Sequence, residues 1–262
     1  MTGRLRQAAK AAFALADRLL TAPEGPRVLT YHQVGQGSGR QIDVDLDDFR
    51  RQMHWIAENK IVIDLETALR RWETPLASRF TAITFDDGFR SLYDSAFPLL
   101  REMSIPFTVY ITTSIIGRSD WEGRGMPLGW PQIEEMAESG LMTVAAHTDT
   151  HPDLRSIDPV DITREIEMSD EILRTRLGVV ADHFAYPWGY WSEQADDLVR
   201  TRYSSAALGS HRILSPAGFD PHLMHRFPVQ LSDGLRWFKA RLEGGLLLEE
   251  ETRRKLRGYV GP

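Results

Sequence analysis

The stretch Thr81-Ala82-Ile83-Thr84-Phe85-Asp86-Asp87-Gly88 decides the reading of this chain. Its first five residues are apolar or β-branched, the pattern of a short buried strand. Two carboxylates follow at once. Adjacent aspartates at a strand end resist joint ionisation, because like charges close in space disfavour each other. A cation held by one of them relieves that cost, and Gly88 supplies the backbone freedom for a sharp exit. Taken alone, the motif also reads as an acidic turn.

Working outward, short apolar runs alternate with longer amphipathic ones. Strands are expected at residues 27–32, 61–63, 81–85, 107–112, 142–146, 183–186, 204–207 and 226–229. Helices are expected at residues 48–59, 91–103, 131–139, 161–177 and 191–201, the fourth stopped by Gly178. This alternation argues for an α/β fold with parallel strands inside and helices outside. Seven or eight such units suit a barrel, where chemistry collects at the carboxyl ends of the strands. Residues 35–39 and 114–129 are glycine-rich and read as loops on a pocket rim.

A second motif, His147-Thr148-Asp149-Thr150-His151, also follows an expected strand. If the segment coils, its two imidazoles lie one turn apart and point at one ion; the plain alternative is two unrelated loop histidines. Together with one carboxylate they form a facial set with open positions, suited to a divalent metal; the ligand types fit Zn, Fe, Co, Ni or Mn and do not select among them. A third motif, Phe184-Ala185-Tyr186-Pro187-Trp188-Gly189-Tyr190, is a strand end running into an aromatic turn. Flat aromatic faces suit sugar stacking, although packing explains any single one of them.

Bulk properties set limits. The 262 residues carry a net charge of -6, with 42% hydrophobic and 26% charged residues. No basic stripe stands out, so a nucleic-acid partner is not expected. There is no cysteine, which excludes disulfide scaffolds, thiolate metal sites and cysteine nucleophiles. Arg4, Arg6 and Lys10 precede a six-residue apolar run, Ala11 to Ala16, interrupted by Asp17 and Arg18. That run is shorter than a secretory core and far short of a membrane span. The expectation is a soluble, cytoplasmic protein with no transmembrane segment, loose membrane attachment through the basic helix being the alternative.

The three motifs, in this order and spacing, resemble the polysaccharide deacetylase family, the group with the NodB homology domain also called carbohydrate esterase family 4. Trp130-Pro131-Gln132-Ile133 and the opening Leu29-Thr30-Tyr31-His32 fit as well, and the likeness covers roughly residues 27–230. It implies a distorted (β/α) barrel of about seven parallel strands, preceded by an N-terminal amphipathic helix (1–26) and followed by a helical tail (231–262). It also implies Asp87, His147 and His151 as metal ligands and Asp86 as general base. The Trp188 N–H would hold an oxyanion, and Tyr186, His32 and Arg226 would face the substrate.

This chain departs from the family pattern in three places. A later family motif usually gives a tryptophan and a second aspartate, and Tyr203-Ser204-Ser205-Ala206 has neither. Ala185 stands where the family often has an arginine that steers the base, and Arg226 is a candidate replacement. The general acid falls to His225, in Leu223-Met224-His225-Arg226, with His32 competing. The implied activity is hydrolysis of acetyl groups from N-acetylated sugars of a carbohydrate partner. The alternatives are a metal- and carbohydrate-binding barrel without catalysis, or hydrolysis of O-acetyl esters or another amide. A glycosidase needs two carboxyls facing across a bond, which adjacent aspartates supply poorly.

Overall fold

The computed structural model of the protein describes residues 3–17, 25–209 and 219–256. Arg18, the remainder of the N-terminal segment to residue 24, and the end of the tail (257–262) lie outside the described residues.

Seven parallel strands carry the architecture: β1 (Arg27–Tyr31), β2 (Phe80–Asp87), β3 (Phe107–Ile111), β4 (Met142–Ala146), β5 (His183–Ala185), β6 (Ser205–Ala207) and β7 (Phe227–Pro228). They pair in the order β7-β1-β2-β3-β4-β5-β6, and a short strand at Ile61–Val62 joins the start of β2. Leu29 lies opposite both Phe227 and Ile83. The sheet curls until its edges meet. The Met224 N–H donates to Ala206 O at 3.0 Å, and the Leu208 N–H donates to Met224 O at 2.8 Å. Residues 224–228 thereby join β6 to β1, and the result is the expected distorted (β/α) barrel.

Strand periodicity sorts side chains by size. Val28, Ala82, Tyr110, Ala145, Ala185, Ala207 and Met224 form one buried cluster, while their neighbours Leu29, Ile83, Val109, Val144, Phe184 and Ala206 join the large core. Successive residues of a strand face opposite sides, so the small set fills the barrel and the larger set packs against helices. Those helices are α2 (Leu46–Asn59), α3 (Leu65–Arg70), α4 (Phe97–Glu102), α5 (Trp130–Glu138), α6 (Pro159–Leu177) and α7 (Glu193–Arg202). Asp45 caps α2 and Asp158 caps α6, each side chain accepting from first-turn amides.

Two boundaries differ from expectation. β2 continues through both aspartates, because β3 offers ladder partners: Asp86 lies opposite Tyr110 and Asp87 opposite Ile111. The helix expected at 91–103 opens with a wide turn at Leu92–Ala96 before α4. Pro98 has no N–H to continue the regular ladder there.

The two chain ends pack together. Helix α1 (Gly3–Ala16) meets α8 (Gly234–Leu242) and α9 (Leu247–Leu256) through buried charges. Lys10 pairs with Asp233 and Glu249. Arg241 reaches Asp233 at 3.0 Å, Glu249 at 2.9 Å and Glu250 at 2.6 Å. Asp17 accepts from Leu247 N and Leu248 N, which caps α9. Among the described residues no helix is long and apolar enough to cross a membrane.

Removing one member of a buried ionic network strands the others. Arg241→Met should therefore lower unfolding stability by about 3–5 kcal/mol, read from the urea midpoint and slope. Arg70→Ala, which breaks the exposed pair with Glu66, should cost less than about 1 kcal/mol. Equal effects would contradict the burial argument.

Candidate metal centre and catalytic cleft

Asp87 ends β2 in the left-handed region (φ 73), and Gly88 follows at φ 92. A side chain at Gly88 would be strained at that angle and would crowd Ile116 at 3.3 Å. The Asp87 carboxylate faces the loop after β4. Its Oδ1 lies 3.5 Å from His147 Nε2 and 3.4 Å from His151 Nε2. All three ligand atoms lie within 4.8 Å of one another, and all three residues are buried. An ion about 2.0–2.1 Å from each donor in tetrahedral geometry spaces the donors about 3.3–3.4 Å apart. The group therefore fits a divalent metal. His147 Nδ1 is 2.7 Å from Ala185 O, which turns Nε2 toward the shared point. Burial lowers the His151 pKa to about 4, against the opposing pull of Asp87. A neutral imidazole is the form that ligates.

Asp86 stands apart from this group. Arg226 grips it through two bonds of 2.7 Å, Nη1 to Oδ1 and Nη2 to Oδ2. The same guanidinium donates to Thr84 Oγ1 at 3.1 Å and to Leu208 O at 3.0 Å, and it lies over the Tyr110 ring at 5.1 Å. Burial opposes ionisation of Asp86, but Arg226 outweighs it and holds the carboxyl below its usual range. The arginine that Ala185 lacks thus reaches the carboxylate from the segment that closes the barrel.

Asp86, Asp87, His147, His151, His32 and Trp188 all line one cleft of about 740 Å³. Trp188 sits at φ 62 and is 47% exposed, its ring 5.0 Å from that of His151. Gly189 behind it touches Gly209 backbone to backbone, where an added Cβ would sit 2.2 Å from Gly209 Cα.

Two expected residues are placed elsewhere. Tyr186 is fully buried, packs edge-on to Phe184 and donates to Asp196 at 3.4 Å, so its side chain does not reach the cleft. His225 is half-buried and is not among the cleft residues. It lies between Met224 and Arg226, both pointing into the barrel, and extended backbone sends the residue between them the other way. His32, by contrast, lines the cleft together with both aspartates.

Sequence reasoning missed two contributors. The glycine-rich loop supplies Trp121, 5.3 Å from the His151 ring, and Arg124, stacked 4.4 Å from Trp121 and 5.0 Å from Trp188. The loop was legible as a rim, but the aromatic clamp within it was not. Glu250 and Arg253 of α9 also line the cleft, although the tail's charges read only as a solvated helix.

The sequence pattern of one family, described as polysaccharide deacetylase, matches residues 74–204, half of the chain. The chain belongs to the polysaccharide deacetylase family. A poly-beta-1,6-N-acetyl-D-glucosamine N-deacetylase of Staphylococcus epidermidis is 32% identical over 107 residues, covering 40% of this chain and 37% of that protein. Its counterpart in Staphylococcus aureus is 23% identical over 171 residues, covering 62% and 59%. The chain thus spans less than two thirds of the length of the curated relatives it matches. Among solved structures, IcaB from Ammonifex degensii superposes with a TM-score of 0.70 at 26% identity, covering 84% of this chain and 99% of that one.

The Arg226–Asp86 geometry makes a specific prediction. Arg226→Met should lower kcat/KM for acetate release at least tenfold while metal content, measured by atomic emission, stays at the level of the unmodified protein. Adding Arg226→Met to Asp86→Asn should then cost little further, since the two residues act as a unit. Fully additive losses would separate them.

Proposed function

We propose that the protein is a metal-dependent N-deacetylase of glycans containing N-acetylglucosamine, with zinc as the first candidate ion. One observation carries this reading. A buried carboxylate–imidazole–imidazole group, spaced for one ion, shares a cleft with a second carboxylate already committed to an arginine. The relatives named for action on poly-beta-1,6-N-acetyl-D-glucosamine support the substrate class.

Asp87, His147 and His151 would hold the ion. A divalent cation bound there supplies Lewis acidity to an acetyl carbonyl and makes water easier to deprotonate. Asp86 takes the proton from the attacking water. Arg226 keeps that carboxylate ionised and aimed. The Trp188 N–H, presented by its left-handed turn, faces the oxygen on which negative charge develops. His32 lines the same cleft as Asp86 and Asp87, and it donates a proton to the leaving nitrogen. The water oxygen bonds to the carbonyl carbon, the C–N bond breaks, and acetate and a free amino sugar leave. Trp188, on the cleft, offers a flat apolar surface against which a sugar ring packs.

Purified protein should release acetate from N-acetylglucosamine oligomers faster than from O-acetylated sugars, and chelation should abolish the release. Asp87→Ala and His147→Ala should lose metal and activity together. Asp86→Asn should keep metal and lose on the order of 10²–10⁴-fold in turnover. His32→Gln should fall in the same range, while His225→Gln stays within about threefold of the unmodified rate. A fully active Asp86→Asn protein would remove the proposed base, and a reversed order for the two histidines would return the acid role to His225.

A further inference from the structure

The two imidazoles of the metal centre are oriented by different means. His147 is fixed through its ring, by the bond between Nδ1 and Ala185 O. Among the described residues, His151 Nδ1 is buried without a hydrogen-bond partner. Its ring packs edge-on against Trp121 and Trp188, and its backbone is constrained as well. Thr148 (φ 64) and His151 (φ 63) both occupy the left-handed region, and side-chain-bearing residues stay there only where the surroundings hold them.

The His151 N–H donates to Thr148 Oγ1 at 3.1 Å, and the turn between the two residues is held by Glu165, on α6. Its Oε2 accepts the Asp149 N–H at 3.1 Å and the Thr150 N–H at 2.7 Å, and its Oε1 accepts the Thr150 hydroxyl at 2.7 Å. The residue is only 8% exposed, and among the described residues it makes no ion pair. A buried carboxylate that lacks a cation is costly unless hydrogen bonds compensate it, and here all three come from the turn between the two ligands. The turn is clamped on its other side too. Thr113 Oγ1 donates to Asp149 Oδ1 at 2.7 Å, and the Ser114 N–H donates to Asp149 O at 3.0 Å.

We infer that Glu165 is a positioning residue for the ligand His151, supplying through the backbone the constraint that His147 receives through its ring. The inference rests on the metal reading proposed above and adds to it a residue that touches neither ion nor substrate.

The test measures zinc affinity of the full chain by chelator competition and records the visible absorption spectrum of the cobalt-substituted protein. Glu165→Met and Glu165→Asp should each weaken zinc binding about 10–100-fold and alter the cobalt spectrum, with circular dichroism unchanged. Glu165→Gln should stay within about threefold. Its amide oxygen can accept both N–H groups while its NH2 donates to the Thr150 hydroxyl.

Zinc affinity and cobalt spectrum unchanged in both Glu165→Met and Glu165→Asp would overturn the inference. Should Glu165→Met not fold, Glu165→Asp, which keeps charge and is shorter by one methylene, decides alone. An unmodified protein that binds neither metal overturns the metal reading and this inference with it. One that binds metal while the variants behave normally overturns the inference only.

Discussion

Two buried carboxylates on consecutive residues, each given its own partner, are the constraint on which this site is built. Asp86 and Asp87 both pair in the ladder of β2. In a regular strand their side chains would face opposite sides. The left-handed φ of Asp87 breaks that alternation, so both carboxylates open onto one cleft. Two negative charges so close are tolerated only if something separates their electrostatic problems. Arg226 answers for Asp86 with a two-pronged grip. The imidazoles, and the ion they fit, answer for Asp87. One carboxylate is thus held by a guanidinium, while the other is left to the imidazoles.

This arrangement explains why the barrel closes as it does. The inner faces of β2, β4, β5 and β6 carry Ala82, Ala145, Ala185 and Ala207. Small side chains leave the interior room for the one large charged group that enters it. Arg226 is almost completely buried, with contacts to a carboxylate, a hydroxyl, a carbonyl and an aromatic ring. Breaking any one of them leaves a buried guanidinium under-satisfied, so the same residue tunes the base and fastens the closing segment.

What could be read from the sequence followed from local rules. Strand-helix alternation revealed the barrel, and the two motifs after strands revealed the carboxylate and the imidazoles, because each motif is contiguous and sits where its strand ends. What could not be read depended on direction or distance. His225 and Tyr186 looked equivalent to their neighbours until the register of a two-residue strand and a tight turn set which way each side chain points. Glu165 stands fourteen residues beyond His151 in a helix rich in Arg, Asp and Glu, where it looks like another solvated charge. Only the packing of α6 against the ligand turn distinguishes it. The charges of α9 were opaque for the same reason, since their partners Lys10 and Asp17 lie more than two hundred residues away.

The segment matched by the family contains Asp86, Asp87, His147 and His151, but neither His32 nor Arg226. Ion and base are therefore carried by the middle of the chain, whereas the proposed acid and the base's partner come from its two flanks. Strand order reunites them. β7 and β2 both pair with β1, so His32, just beyond β1, and Arg226, just before β7, arrive on the same side of β2 as Asp86. A fragment limited to the matched segment would retain Asp86, Asp87, His147 and His151 yet lose His32 and Arg226. On the proposed reading, the completed barrel therefore adds the groups that handle protons more than those that fit the ion.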